Sequence, residues 1–233
     1  MFLGHYGVAF GLKRAEPKLS LGTLFLGVQL LDLLWGIFVL VGWEHARIVP
    51  GHTAITPLEF LDYPISHSFV GAVAWSLVAA ALYYSWPTRD TSRHWQAAAI
   101  VGLAVFSHYP LDVLVHIPDL PLMGNDSMKL GLGLWNNPTA TLAAEAIVFG
   151  LGLAIYVARG SNRHPVRARR IVLVVALLVG VYLASLYGPV PPSMTTVAVS
   201  DIVFILAMAA LAGWADRRAT HDELDARGLS HKR

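Results

Sequence analysis

Runs of about 20 apolar residues, joined by loops that alternate between many and few basic residues, point this chain to helices packed across a membrane. In hydrocarbon, each backbone N–H and C=O must be satisfied within its own segment. About 20 apolar residues are what an α-helix needs to cross. Stretches 19–42, 66–86, 96–116, 139–158, 171–187 and 196–215 meet or approach that length. Only 14% of the 233 residues are charged, against about a quarter in soluble domains. The expected fold class is all-α: a polytopic membrane helical bundle of about six transmembrane helices plus a short N-terminal half-helix. Residues 1–216 form the expected membrane domain and 217–233 a charged tail.

Segment 1–12 is apolar but too short to span. Lacking a basic n-region and a small-residue cleavage site, it reads as mature protein and not as a signal peptide. A half-helix there would rise about 18 Å, bringing His5 near mid-bilayer, level with Asp32. The alternative is an interfacial helix.

Orientation follows from Lys and Arg, which favour cytoplasmic loops. Segments 13–18, 87–95, 159–170 and 216–233 hold 15 of the 17 basic residues, while loops 43–65 and 117–138 hold one each, Arg47 and Lys129. The expected location is the inner (cytoplasmic) membrane with the C-terminus cytoplasmic. The net charge of +2 is spread over loops and gives no nucleic-acid surface. With no cysteine, disulfides, thiolate metal sites and cysteine nucleophiles are excluded. Loops 43–65 and 117–138 exceed what a simple connection needs, which marks them as functional lids or re-entrant segments.

Ionisable residues inside these stretches cost several kcal/mol on insertion scales and need a partner or a role. His108 and Asp112, four residues apart, share one helical face, and His116 continues it. An imidazole and a carboxylate so placed can supply two ligands to one metal ion. Asp32, His67 and Glu145 lie in the outer halves of their stretches, Asp201 lies near the outer end of the last, and the inner halves hold no acid or histidine. One outward-facing polar cavity accounts for this. Structural readings compete at each position. Asp32 can pair with Gln29 between helices, His67 can sit at an interface with Ser66 as its cap, and Glu145 and Asp201 can be interhelical hydrogen-bond partners. His116 reads as interfacial and not as a ligand. His45, His52, Glu59 and Asp62 read as loop residues, with metal or substrate contact the minor reading. His94, His164, His221 and His231 fall on the cytoplasmic side and are set aside. Pro110 removes a backbone donor within the third stretch, so a kink there would re-aim His108 and Asp112.

Gly4-His5, Asp32, Ser66-His67-Ser68, and Ser107-His108 with Asp112 follow one another over residues 1–116. In that order they resemble the motifs of bacterial membrane-bound metal-dependent hydrolases, a family compared with zinc-dependent phospholipase C. Segment 130–136, LGLGLWN, resembles uncharacterised bacterial integral membrane proteins. The hydrolase resemblance implies His5, Asp32, His67, His108 and Asp112 as metal ligands. Two features depart from it. The family's paired Asp is a lone Asp32 within Leu30-Leu31-Asp32-Leu33-Leu34, and Tyr63-Pro64-Ile65 stands where Arg-Gly often precedes the Thr-His. A lone Asp implies one metal instead of two, or a site that binds without turnover.

Three functions fit these residues. The first is a metal-dependent hydrolase of a lipid or lipid-linked phosphoester or ester at the outer leaflet, holding zinc before manganese or iron, with Glu145 or Asp62 taking the proton. The second is a proton or metal-ion transporter or channel, for which intramembrane acids and histidines are also the signature. The third is a non-catalytic scaffold with a structural polar cluster. The expected partners are the bilayer and a lipid substrate, and nucleic acid is not among them.

Overall fold

The computed structural model describes residues 1–87, 94–158 and 165–217. The charged tail and the histidines at 164, 221 and 231 lie outside these. The described chain is mostly helical. α1 (Leu3–Ala15) leads to a bent pair, α2 (Leu21–Val28) and α3 (Leu30–Val41). A hairpin of β1 (His45–Ile48) and β2 (Leu58–Asp62) follows, then the short α4 (Pro64–His67) and α5 (Phe69–Ser85). α6 (His94–Phe106) and α7 (His108–Val115) run nearly end to end. A second small ribbon, β3 (Leu120–Pro121) with β4 (Lys129–Leu130), precedes α8 (Pro138–Ala158), α9 (Pro165–Tyr187) and α10 (Met194–Asp216).

Among the described residues, four helical stretches are long and apolar enough to cross a membrane: His94–Val115, α8, α9 and α10. The α2–α3 pair, bent by 54°, makes a fifth if it is taken as one span. Stretch 66–86, expected as a span, is divided. Ser68 starts a new helix by accepting the amide of Gly71 at 2.8 Å, which cuts α4 away and leaves α5 with 17 residues. The structure thus carries four to five candidate spans where the sequence suggests about six. The outward faces of these helices and of α5 are apolar: Leu77, Leu82, Ile147, Leu151, Val172 and Val203 are all exposed. Contiguous surface of that kind marks a membrane protein.

The N-terminal segment does fold as a helix, and it lies inside the bundle. Tyr6, Ala9 and Phe10 are fully buried. α1 packs on α8 at a point where both backbones carry glycine. A Cβ on Gly152 would collide with the Gly7 carbonyl, and one on Gly7 would lie 2.6 Å from the Phe149 Cα. At its far end Lys13 reaches Asp216 of α10 at 2.5 Å. Asp216 also accepts the Leu21 amide at 3.2 Å and the Arg167 guanidinium.

The loops hold the two departures from all-α. α3 ends at Gly42, whose φ of +74° is left-handed backbone that glycine adopts at little cost. The chain then enters the hairpin, paired Arg47↔Glu59 and Ala46↔Phe60. The Arg47 guanidinium beside Glu59 holds that carboxyl below its ordinary value. Gly152→Leu should separate α1 from α8 and destabilise the protein by about 1–3 kcal/mol, as overpacking does. Thermal unfolding in detergent measures it, and an unchanged midpoint would contradict this packing.

Candidate metal centre

Two helix interruptions build the centre. The first is the α2–α3 bend at Gln29, which leaves the Val28 carbonyl without a helical partner; His108 Nδ1 takes it at 2.7 Å. The bend also puts Asp32 in the first turn of α3, where the helix dipole favours an anion. The second is the break at Ser107 between α6 and α7. Pro110 then falls in the first turn of α7, where backbone N–H groups lack helical partners in any case. The helix is continuous from His108 to Asp112, so Pro110 does not part them.

Asp32, His67, His108 and Asp112 converge, with one ligand atom from each within 4.8 Å of all the others. His67 Nε2 lies 3.2 Å from Asp32 Oδ1 and 3.8 Å from Asp112 Oδ2. His108 Nε2 lies 3.4 Å from Asp32 Oδ1 and 2.9 Å from Asp112 Oδ2. Four ligands at about 2.1 Å around a tetrahedral ion stand roughly 3.4 Å apart, and these separations bracket that figure. His67, His108 and Asp112 are buried, and Asp32 is half-buried.

The imidazoles are oriented from behind. The Val28 carbonyl can only accept, so His108 Nδ1 carries a proton and Nε2 is the ring nitrogen turned to the carboxylates. Ser66 Oγ donates to Glu44 Oε2 at 2.5 Å and lies 2.8 Å from His67 Nδ1, so Nδ1–H donates to it and Nε2 faces inward. Glu44 is fully buried and also accepts the amides of Ile65 and Ser66 at 2.8 Å. Outer partners of this kind fix ligand orientation in metal sites. Both Nε2 atoms then face the two carboxylates, and His108 Nε2 is buried without a hydrogen bond of good geometry. Two imidazoles and two carboxylates so placed fit a divalent metal ion.

His116, set aside in the sequence reading, belongs to the surroundings of this site. Its side chain is buried, its Nδ1 lies 3.0 Å from Asp119 Oδ1, and its Nε2 faces Asp112 Oδ2 at 3.9 Å. Tyr63 donates to the same Asp119 oxygen at 2.8 Å. Burial and the Asp119 carboxylate hold the Tyr63 hydroxyl well above its usual range, so it stays a donor. The one sequence signal for His116 was its i+4 spacing from Asp112. Nothing local pointed to Glu44 or Asp119.

The other expected residues take different places. His5 lies against the quartet on the other oxygen of Asp112, with Nε2 at 3.1 Å from Oδ1 and its ring stacked on His108 at 3.9 Å. The Met1 amine shares that oxygen at 2.5 Å. Glu145 is buried and accepts the Phe2 and Gly4 amides, each at 2.7 Å, so it caps α1. Asp62 pairs with His45 at 2.7 Å on the exposed hairpin and does not line the cavity beside the quartet. Asp201 does line it and makes no hydrogen bond or ion pair among the described residues. It is close enough to Asp32 for the two charges to interact.

That cavity, about 470 Å³, reaches Asp32, His67, Asp112 and His116. Comparison with family models, curated proteins and solved structures finds no match to this chain. Ser66→Ala should free the His67 ring and weaken metal binding about 10–100-fold. Titration of purified protein with Zn²⁺ reads this, and an unchanged affinity would remove Ser66 from the site.

Proposed function

We propose that the protein is a membrane-embedded metal-dependent hydrolase of a lipid or lipid-linked phosphoester or ester. The observation that carries this reading is the near-tetrahedral spacing of Asp32, His67, His108 and Asp112, with the histidine Nε2 atoms turned inward. Zn²⁺ suits the set best, and Mn²⁺ or Fe²⁺ can also occupy it. The ordered motifs on residues 1–116 support the same chemistry, as do the apolar walls of the adjoining cavity. Taking α5 as a span gives six helices, with 15 of the 17 basic residues on the cytoplasmic side of an inner membrane. The quartet then faces the outer leaflet, and α1 enters the bilayer from the cytoplasmic side.

A bound divalent ion supplies Lewis acidity, lowering the pKa of its water toward 7 and polarising the target oxygen. The chain does the rest. Ser66, Glu44 and the Val28 carbonyl hold the ligand rings. His5 and His116 flank Asp112 on its two oxygens, and the Met1 amine pairs with its charge. Glu145 fixes α1 beneath the site and has no oxygen left without a donor. Asp201, lining the cavity without a hydrogen bond, is the carboxylate placed to accept a proton from the attacking water and pass it to the leaving alcohol.

Two outcomes test this. Purified protein should carry about one equivalent of metal by elemental mass spectrometry, lost in the His108→Ala/Asp112→Ala double variant and kept in Asp62→Ala. A folded protein that takes up neither Zn²⁺ nor Mn²⁺ would end the hydrolase reading. Asp201→Asn should keep its metal and lower turnover of lipid phosphoesters about 10²-fold or more, the usual contribution of acid–base catalysis. Full activity in that variant would reassign the proton.

A further inference from the structure

The cavity beside the quartet has two poles. One is the polar pole already described. The other is apolar: Phe2 stacks on Tyr182 and on Phe204, each at 5.5 Å between ring centres, and Val181, Leu186 and Val197 continue this wall. The apolar pole belongs to the C-terminal part of α9 and the N-terminal part of α10, both long and apolar enough to span a membrane. Of the cavity-lining residues on these helices, Val181, Ala184, Ser185 and Ser200 are exposed. The cavity therefore opens along these exposed residues of α9 and α10.

Loop residues cover another side. Pro57, Leu58 and Phe60 of the hairpin and Trp135 line the cavity, and Trp135 packs on His116 at 4.0 Å between ring centres. The outer surface of these loops is itself apolar, with Trp43, Met123, Met128 and Leu132 all more than 60% exposed. Such a surface is of the kind that meets a membrane interface.

Two buried donors in the cavity wall are unused. Trp35 and Tyr182 are 4% and 5% exposed, yet the Trp35 Nε1–H and the Tyr182 hydroxyl have no hydrogen-bond partner among the described residues. Buried polar groups are rarely left so, and a ligand is one reason they are. Both atoms are shielded by neighbouring side chains, and once those part they offer donors that suit the oxygens of an ester or phosphate.

We propose that the occupant is a bilayer lipid that enters sideways between α9 and α10. Its acyl chain lies along Phe2, Tyr182 and Phe204, and its ester or phosphate oxygens accept hydrogen bonds from Trp35 and Tyr182. What then happens to the lipid rests on the hydrolase reading; the cleft itself does not.

The test uses the full chain in phosphatidylethanolamine/phosphatidylglycerol vesicles containing a phospholipid with a diazirine in its acyl chain. After irradiation, labelled residues are mapped by peptide mass spectrometry and bound metal is measured on the same samples. Tyr182 and Phe204 should be labelled at least about five-fold above Leu178 and Val174, which are fully buried on α9. Ser200→Trp, at the exposed seam, should cut Tyr182 labelling several-fold and leave metal content unchanged. Trp35→Phe and Tyr182→Phe should lower the lipid retained in native mass spectrometry. Tyr182 labelling no higher than that of Leu178, or unaffected by Ser200→Trp, overturns the lateral cleft, even in a protein that holds its metal. Tyr182 labelling in a protein that holds no metal supports the cleft and removes the hydrolase.

Discussion

Asp112 is the carboxylate around which the protein is organised. It is 2% exposed, and an anion so deeply buried is tolerated only with close partners. Those partners come from separate parts of the chain. His5 and the Met1 amine meet Oδ1, while His108, His67 and His116 face Oδ2. Holding these groups together requires α1, α4 and α7 to meet at one point, with α3 adding Asp32. The need to neutralise one buried charge thus brings distant segments into register, which apolar packing alone, being non-directional, would not do.

Broken helices make that convergence possible. A continuous helix consumes its own carbonyls and presents side chains at fixed intervals. The bend at Gln29 releases the Val28 carbonyl to His108 and turns Asp32 toward His67. The cut at Ser68 lets the short α4 swing His67 inward while Glu44 caps its start. Irregular backbone at membrane depth is tolerated where it is buried in protein or lines a cavity, and both conditions hold here. At the opposite end of α1, Lys13, Arg167 and Asp216 join α1, α9 and α10, so α1 is tied at both ends.

Much of the site was legible because its spacing is local. His108 and Asp112 lie one helical turn apart, and burying both in an apolar stretch needs a reason that sequence alone exposes. Asp32 and His67 stood out for the same reason, and all four meet. Glu145 stood out too, but its task, receiving the amides of Phe2 and Gly4, depends on α1 packing against α8. Asp62 was credible as a loop acid until the hairpin paired it with His45. His116 reads as interfacial because it ends an apolar run; the loop carrying Asp119, Tyr63 and Trp135 buries it. Trp35 and Tyr182 carry no sequence signal, since an aromatic residue in a spanning stretch is ordinary. Their unused donors exist only because of what surrounds them.

The sequence by itself determined the membrane class, the helical content and the residues too polar for their surroundings, because hydrophobicity and helical period are properties of a contiguous segment. It suggests about six spans where four to five among the described helices are long enough to cross, because a cap such as Ser68 divides an apolar run without changing its composition. Only the tertiary structure decided which polar residues share a centre, which histidine nitrogen faces inward, and which helices line the cavity. Those are relations between segments far apart in the chain, set by backbone breaks and by the pairing of one buried carboxylate.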